Sequence, residues 1–183
     1  MADRSYRRAE RFDPVAALVW RIRMDEISLE RVACAAALGH EVALQVANPT
    51  DLPARPGPLA EHAARLLGPV EAGRWAADLA ELAVAHAWID ATDTRPARAI
   101  AAGRAWVACP CQEHMAAADA AAAEAEEAAW ATWGPAREAA LAAAWAAEAE
   151  AGAGAAWAAL AAVRSGVLTW AEVCASLAER LLA

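Results

Sequence analysis

The chain has 183 residues, a net charge of −8 and a pI of about 5.0. That balance argues against a general nucleic-acid binder, which needs a basic face to displace counterions. Hydrophobic residues make up 60% of the chain, but 60 of the 183 residues are alanine, which favours helix and buries little area per residue.

The longest uncharged stretch, 151–163, is too short and too weakly apolar to span a bilayer. Four cysteines and no apolar signal core at the N-terminus point to free thiols in a reducing, cytoplasmic compartment. All sixteen basic residues are arginine, which fits the codon usage of a GC-rich genome.

Residues 1–12 read as a polar arm carrying Arg4, Arg7, Arg8 and Arg11. Asp13-Pro14 places an N-cap before a first-turn proline, and a helix is expected from there to about Arg23. Ser28 caps the next helix, Leu29 to Leu38, which Gly39 is expected to end. A further short helix is expected over His40 to Ala47. Residues 48–58, with Pro49, Pro53, Pro56, Gly57 and Pro58, form the clearest loop. It separates an N-terminal arm and small helical unit, 1–47, from a main bundle, 59–183, on which the smaller unit is expected to pack.

The main unit opens with a helix from Leu59 to Leu67, broken at Gly68-Pro69. Trp75, Leu79, Leu82, His86 and Ile89 then recur at a spacing that places them on one narrow face. Val84 and Trp88 lie roughly opposite, and a helix apolar on two sides belongs at the centre of a bundle. Asp93-Thr94-Arg95-Pro96 starts a helix running to about Val107. Pro110 breaks it, and an alanine–glutamate helix covers about Glu113 to Thr132. Gly134-Pro135 breaks the chain again. The following helix carries Leu141, Trp145, Leu160 and Val163 on one face if it passes through Gly152 and Gly154, which otherwise mark a bend or a turn. Thr169-Trp170-Ala171-Glu172 is a capping box that opens a last helix ending in Leu181-Leu182. No run alternates apolar and polar residues over a strand's length. The fold class is therefore all-α, about eight helices in a multi-helix orthogonal bundle or a short α-solenoid of helix pairs.

The segment Asp93-Thr94-Arg95-Pro96-Ala97-Arg98-Ala99-Ile100, followed by Arg104-Ala105-Trp106, resembles a family of alanine-rich helical bacterial immunity proteins. That family's pattern is Asp-x-Arg-Pro-Arg-x-Ala-Ile-Glu and then Arg-x-Trp. The likeness covers roughly residues 75–163. Ala97 stands where the family has arginine and Ala101 where it has glutamate, and no histidine follows His114, although the family's later helices carry them. The resemblance implies a small cytoplasmic protein that binds and neutralises a toxin. It transfers no catalytic residue.

Cys109-Pro110-Cys111-Gln112-Glu113-His114 gathers two thiols and an imidazole within six residues, a donor set suited to zinc. A complete set needs a fourth ligand from Cys34, Cys174 or a remaining histidine. The alternative is a turn whose cysteines pack as small apolar residues. Arg95 and Arg98, beside Asp93 at a helix start, are placed either to hold an acid of a partner bidentately or to pair internally with Asp78, Asp90 or Glu81. Trp130 and Trp133 are the tryptophans expected to reach a partner, since tryptophan is enriched at interface hot spots. The competing role for all nine tryptophans is core filling. His86 is expected as a hydrogen-bonded core residue, with a base in a pocket as its rarer role. His40 and His62 are expected to be solvated. Glu124, Glu126, Glu127, Glu138, Glu148 and Glu150 read as a solvated acidic face, without the Glu-x-x-His pairs of a di-iron bundle.

No glycine-rich nucleotide loop, nucleophile elbow or His-Glu-x-x-His motif occurs, which argues against the commoner enzyme classes. No catalytic residue is assigned. The expected function is a non-enzymatic protein–protein interaction module, immunity-like or an adaptor. Its partner is another protein such as a toxin or effector, with no nucleic acid and no membrane, and self-association is left open. The alternative is a helical metal- or small-ligand-binding protein using Cys109, Cys111 and His114, with zinc as the sole cofactor considered.

Overall fold

The computed structural model describes Arg21 and residues 28–47, 58–87, 92–148 and 153–183. These residues form eight helices. They are α1 (Leu29–Ala47), α2 (Pro58–Leu67), α3 (Pro69–His86), α4 (Arg95–Ala108), α5 (Gln112–Trp130), α6 (Pro135–Ala147), α7 (Ala153–Arg164) and α8 (Trp170–Leu182). No strand occurs among the described residues, and the fold is all-α as the composition requires. The expected helix at Asp13-Pro14, loop residues 48–57, Trp88, Ile89, Asp90, Glu150 and Gly152 lie outside the described residues.

Several helix ends follow directly from local chemistry. Gly68 and Gly134 sit at φ 80 and 62, a conformation glycine adopts without a Cβ penalty, and each is followed by a proline at the first helical position. The capping box at α8 is complete. The Glu172 amide donates to the Thr169 hydroxyl at 3.2 Å, and the Glu172 carboxylate accepts from the Thr169 amide at 2.7 Å. At α4, Thr94 makes no side-chain cap; instead Asp93 Oδ1 accepts the Arg95 amide at 3.1 Å.

Two expectations need correction, and one that was left open is decided. Gly39 does not end a helix: α1 runs unbroken from Leu29 to Ala47. An interior glycine costs a helix about 1 kcal/mol relative to alanine. Here that cost is outweighed by packing, because Cys34, Ala35 and Leu38 bury against α8. Second, of the two courses open to the segment after Gly134-Pro135, α6 ends at Ala147 and α7 begins at Ala153, and Trp145 of one meets Trp157 of the other at 5.4 Å between ring centres. Third, the stripe on α3 is only half buried. Trp75 and Leu79 are in the core, whereas Leu82 and His86 are exposed. The buried arc is centred on Ala72, Ala76, Ala80 and Ala83, about a quarter-turn away from that stripe. Counting only the large residues hid an alanine face.

The packing is that of a bundle. The repeats of a solenoid touch only their neighbours. Here α1 packs on α8, α3 on α6 and α7, and α4 on α6. Helix α1 of the N-terminal unit thus lies on the last helix, and α2 touches α1, α7 and α8. Helices α6 and α7 form the centre, with Ala142, Ala143 and Ala144 and then Ala158 to Ala162, interrupted by Leu160, all buried. An alanine face brings helix axes close, and glycine brings them closer still. A Cβ at Gly103 would lie 3.2 Å from the Ala147 Cα, and one at Gly154 would lie 2.6 Å from the Glu148 carbonyl oxygen.

Charged and polar groups knit the exterior. Asp78 accepts from Arg104 at 2.8 Å and from Arg180 at 2.7 Å, so one α3 carboxylate ties α4 to α8. Arg180 also pairs with Glu71, and Arg104 with Glu81. Arg31 of α1 donates to the Leu66 carbonyl at 3.1 and 2.7 Å and so satisfies the last turn of α2. No helix among the described residues is long and apolar enough to cross a membrane.

The two kinds of glycine are expected to respond oppositely to alanine. Gly154→Ala forces backbone apart and should destabilise by roughly 1–3 kcal/mol. Gly39→Ala meets nothing within 4 Å and should stabilise by about 0.5–1 kcal/mol. Urea unfolding midpoints of the two variants against the parent check both signs.

Candidate functional site

Two corners of the bundle present chemistry to solvent, one at each end of α5. A helix of 19 residues separates them by about 28 Å. The first corner is the turn between α4 and α5. Cys109 is the C-cap of α4, Pro110 follows, and Cys111 is the N-cap of α5 with extended backbone at φ −133 and ψ 162. His114 stands at the third helical position. Its Nδ1 lies 3.2 Å from the Cys111 sulfur and 3.1 Å from the Cys109 carbonyl oxygen. One ligand atom from each of Cys109, Cys111 and His114 falls within 4.8 Å of the others. The six-residue segment therefore does bring its two thiols and imidazole together, as their spacing suggested. The expected fourth ligand does not join them among the described residues. Cys34 and Cys174 are buried in α1 and α8, and His62 pairs with Glu30 at 3.3 Å.

The electrostatics of this corner separate the thiols. Cys111 is held below the ordinary thiol value, chiefly by the backbone N–H of His114, with the Cys109 thiol and the His114 ring adding to it. Cys109 is pushed up by its hydrogen bond to Cys111 and by that group's charge. His114 is raised, first by the Cys109 carbonyl and then by the Cys111 thiolate. The buried thiols differ again: burial raises Cys34 and pushes Cys174 up to about 12.

The second corner is the turn between α5 and α6. Trp130 ends α5 and Trp133 lies in the turn, with 73% and 84% of their surfaces exposed. Beneath them Ala128, Ala129 and Ala140 pack with Leu141 as a small separate core. The Arg137 guanidinium lies 4.9 Å over the Trp130 ring, a cation–π contact that orders it. The Arg137 Nε and Glu138 Oε2 atoms are buried there without a hydrogen-bond partner.

The arginines read as candidates for a partner's acids are engaged within the chain. Arg95 holds Asp93 bidentately, at 3.0 and 2.7 Å, and keeps that carboxyl below its usual range. Arg98 pairs with Glu124 of α5 at 2.6 Å. Asp78 and Glu81, expected as their partners, pair instead with Arg104. His86 is exposed at the end of α3 rather than buried in the core. A groove of about 290 Å³ lies nearby between α3 and α4, lined by Val84, Ala85, Ala97, Ile100 and Ala101. Its charged walls, Glu81 and Arg104, are bonded to each other at 2.9 Å, and His86 is not among its lining residues. Nothing in the chain's periodicity marked this groove, because four of its seven lining residues are alanine or valine on faces that read as ordinary helix surface. Of the acidic residues, Glu124, Glu127 and Glu148 are exposed while Glu126 and Glu138 are half-buried.

The thiols should react in a set order. At neutral pH, iodoacetamide is expected to label Cys111 before Cys109, since the thiolate is the nucleophile. Cys34 and Cys174 should label only on unfolding. Peptide mass spectrometry over a time course reads the order directly. No protein-family model, curated protein or solved structure matches the chain, so these two corners are the basis for assigning it a function.

Proposed function

We propose that the chain is a non-enzymatic protein–protein interaction module, immunity-like or an adaptor, that engages a partner protein through Trp130 and Trp133. The exposure of these two rings carries the reading. Trp75 and Trp170 are buried, and Trp106, Trp145 and Trp157 are half-buried, so core filling accounts for the other described tryptophans and not for this pair. A large exposed aromatic surface on a fixed scaffold is the usual anatomy of a hot spot. The Gly134-Pro135 turn and the Arg137 stack pre-organise the corner, which lowers the entropy lost on docking. Arg95 and Arg98 are secondary in this reading, because a partner's acid would have to displace Asp93 or Glu124.

The test compares the parent with a Trp130→Ala/Trp133→Ala variant, each tagged and captured from its native host, by native mass spectrometry. A distinct protein at fixed stoichiometry with the parent, lost with the variant, is the expected result. Loss of one such hot-spot ring typically weakens binding by at least about 2 kcal/mol, roughly thirtyfold. A partner retained even when Arg95→Ala and Arg98→Ala are added would overturn the reading. Both rings are exposed, so the variant should fold like the parent.

A second reading has its own observation. The convergence of Cys109, Cys111 and His114 within 4.8 Å supports zinc binding at the first corner. Elemental analysis of protein purified without chelator is expected to give one zinc per chain, and the Cys109→Ser/Cys111→Ser variant none. Metal-free parent protein that also fails to take up added zinc removes this reading.

A further inference from the structure

Cys111 and His114 occupy the N-cap and the third position of α5. Thr169 and Glu172 occupy the same two positions at α8. Side chains at these positions meet because the first helical turn folds one back over the other. At α8 the result is a 2.8 Å contact between hydroxyl and carboxylate; at α5 it is the 3.2 Å contact between sulfur and Nδ1. The Cys–His pair is therefore placed by the start of a long helix. Cys109 joins across Pro110, whose ring restricts φ and removes a competing N–H. Extended backbone at Cys111 and near-extended backbone at Cys109 put two side chains two residues apart on the same side. Three donors are thus pre-positioned by short-range structure at an exposed corner, and no fourth from the described residues meets them.

We propose that Cys109, Cys111 and His114 form an open three-ligand site for a soft divalent cation of the zinc class, and that its fourth position takes a thiolate from outside the chain. This rests on the metal-binding reading. Two thiolates and a neutral imidazole balance a divalent charge, so the three-ligand complex is neutral and accepts one more anionic donor. A thiolate matches the softness of the donors already present. Cys109 is exposed while Cys111 and His114 are half-buried, which turns the remaining face of the cation to solvent. Closed structural zinc sites hold four protein ligands; an open position is the mark of a site that exchanges or reacts. The incoming thiol loses its proton to solvent as its sulfur binds, and no redox change is involved.

Cobalt(II), a spectroscopic stand-in for zinc, tests this on the reduced full-length chain. At one equivalent we expect near-ultraviolet sulfur-to-cobalt charge transfer and tetrahedral visible bands. Adding β-mercaptoethanol should then raise the charge-transfer intensity by about half, as two cobalt–sulfur bonds become three. A single-cysteine peptide run in parallel separates the sources: a response to both thiols admits protein cysteines as donors, and a response to the small thiol alone assigns the position to metabolites. Cys111→Ser, at a turn where no core packing is lost, should weaken cobalt binding at least tenfold with unchanged circular dichroism. Absence of cobalt bands would overturn the metal reading itself. Bands that form at one equivalent and ignore added thiol would overturn the open position alone, as would one cobalt per two chains.

Discussion

The bundle depends on how closely its helices approach. Alanine side chains end at Cβ, so faces built from them bring backbones together and recover in dispersion what they lack in buried area. The limit is reached where Gly103 of α4 meets the Ala146–Ala147 backbone of α6, and where Gly154 meets the backbone at the end of α6. Neither contact tolerates a methyl group without movement. The central helices α6 and α7 are consequently buried on nearly every side. Few large side chains share the interior with them, among them Trp75, Leu160, Val173 and Leu177, all fully buried.

Such a core leaves little slack, and the charged exterior adds registration more than stability. Asp78 serves two arginines from two helices, and Glu71 serves Arg74 and Arg180. These pairs are half-exposed, where each contributes at most about 1 kcal/mol. Their use is geometric, since they set how α4 and α8 lie along α3. The same logic explains Arg95 and Arg98. Each closes a local pair at the start of α4, one onto the preceding loop and one onto α5. That consumes the guanidinium groups that a partner would otherwise find.

Helix α5 then separates two unlike corners on a rigid rod. One corner presents donors arranged by a helix start, and the other presents aromatic surface arranged by a glycine–proline turn. They share no residue, so substitution at one should leave the other's behaviour intact, and the two functional readings are independent in physical terms. The acidic residues of α5 lie between them, with Glu124 and Glu127 exposed and Glu124 paired with Arg98.

The division between sequence and tertiary structure follows the range of the forces involved. Helix content, the breaks at Gly68-Pro69 and Gly134-Pro135, the capping box at Thr169 and the convergence of Cys109, Cys111 and His114 were legible from sequence by itself, because each is set within a few residues by backbone sterics or first-turn geometry. Trp130 and Trp133 could be singled out by their position before a break. Their exposure could not, since a tryptophan among alanines reads equally as core. Tertiary structure alone decided which face of α3 is buried, because an alanine stripe has almost no signature in periodicity yet packs best. It also decided that Gly39 stays inside a helix, that α6 and α7 turn back on each other at close range, and that His86 faces water. It decided too which carboxylates Arg95, Arg98 and Arg104 reach. Each of these outcomes rests on contacts between residues far apart in the chain, whose strength depends on shape complementarity that no local pattern encodes.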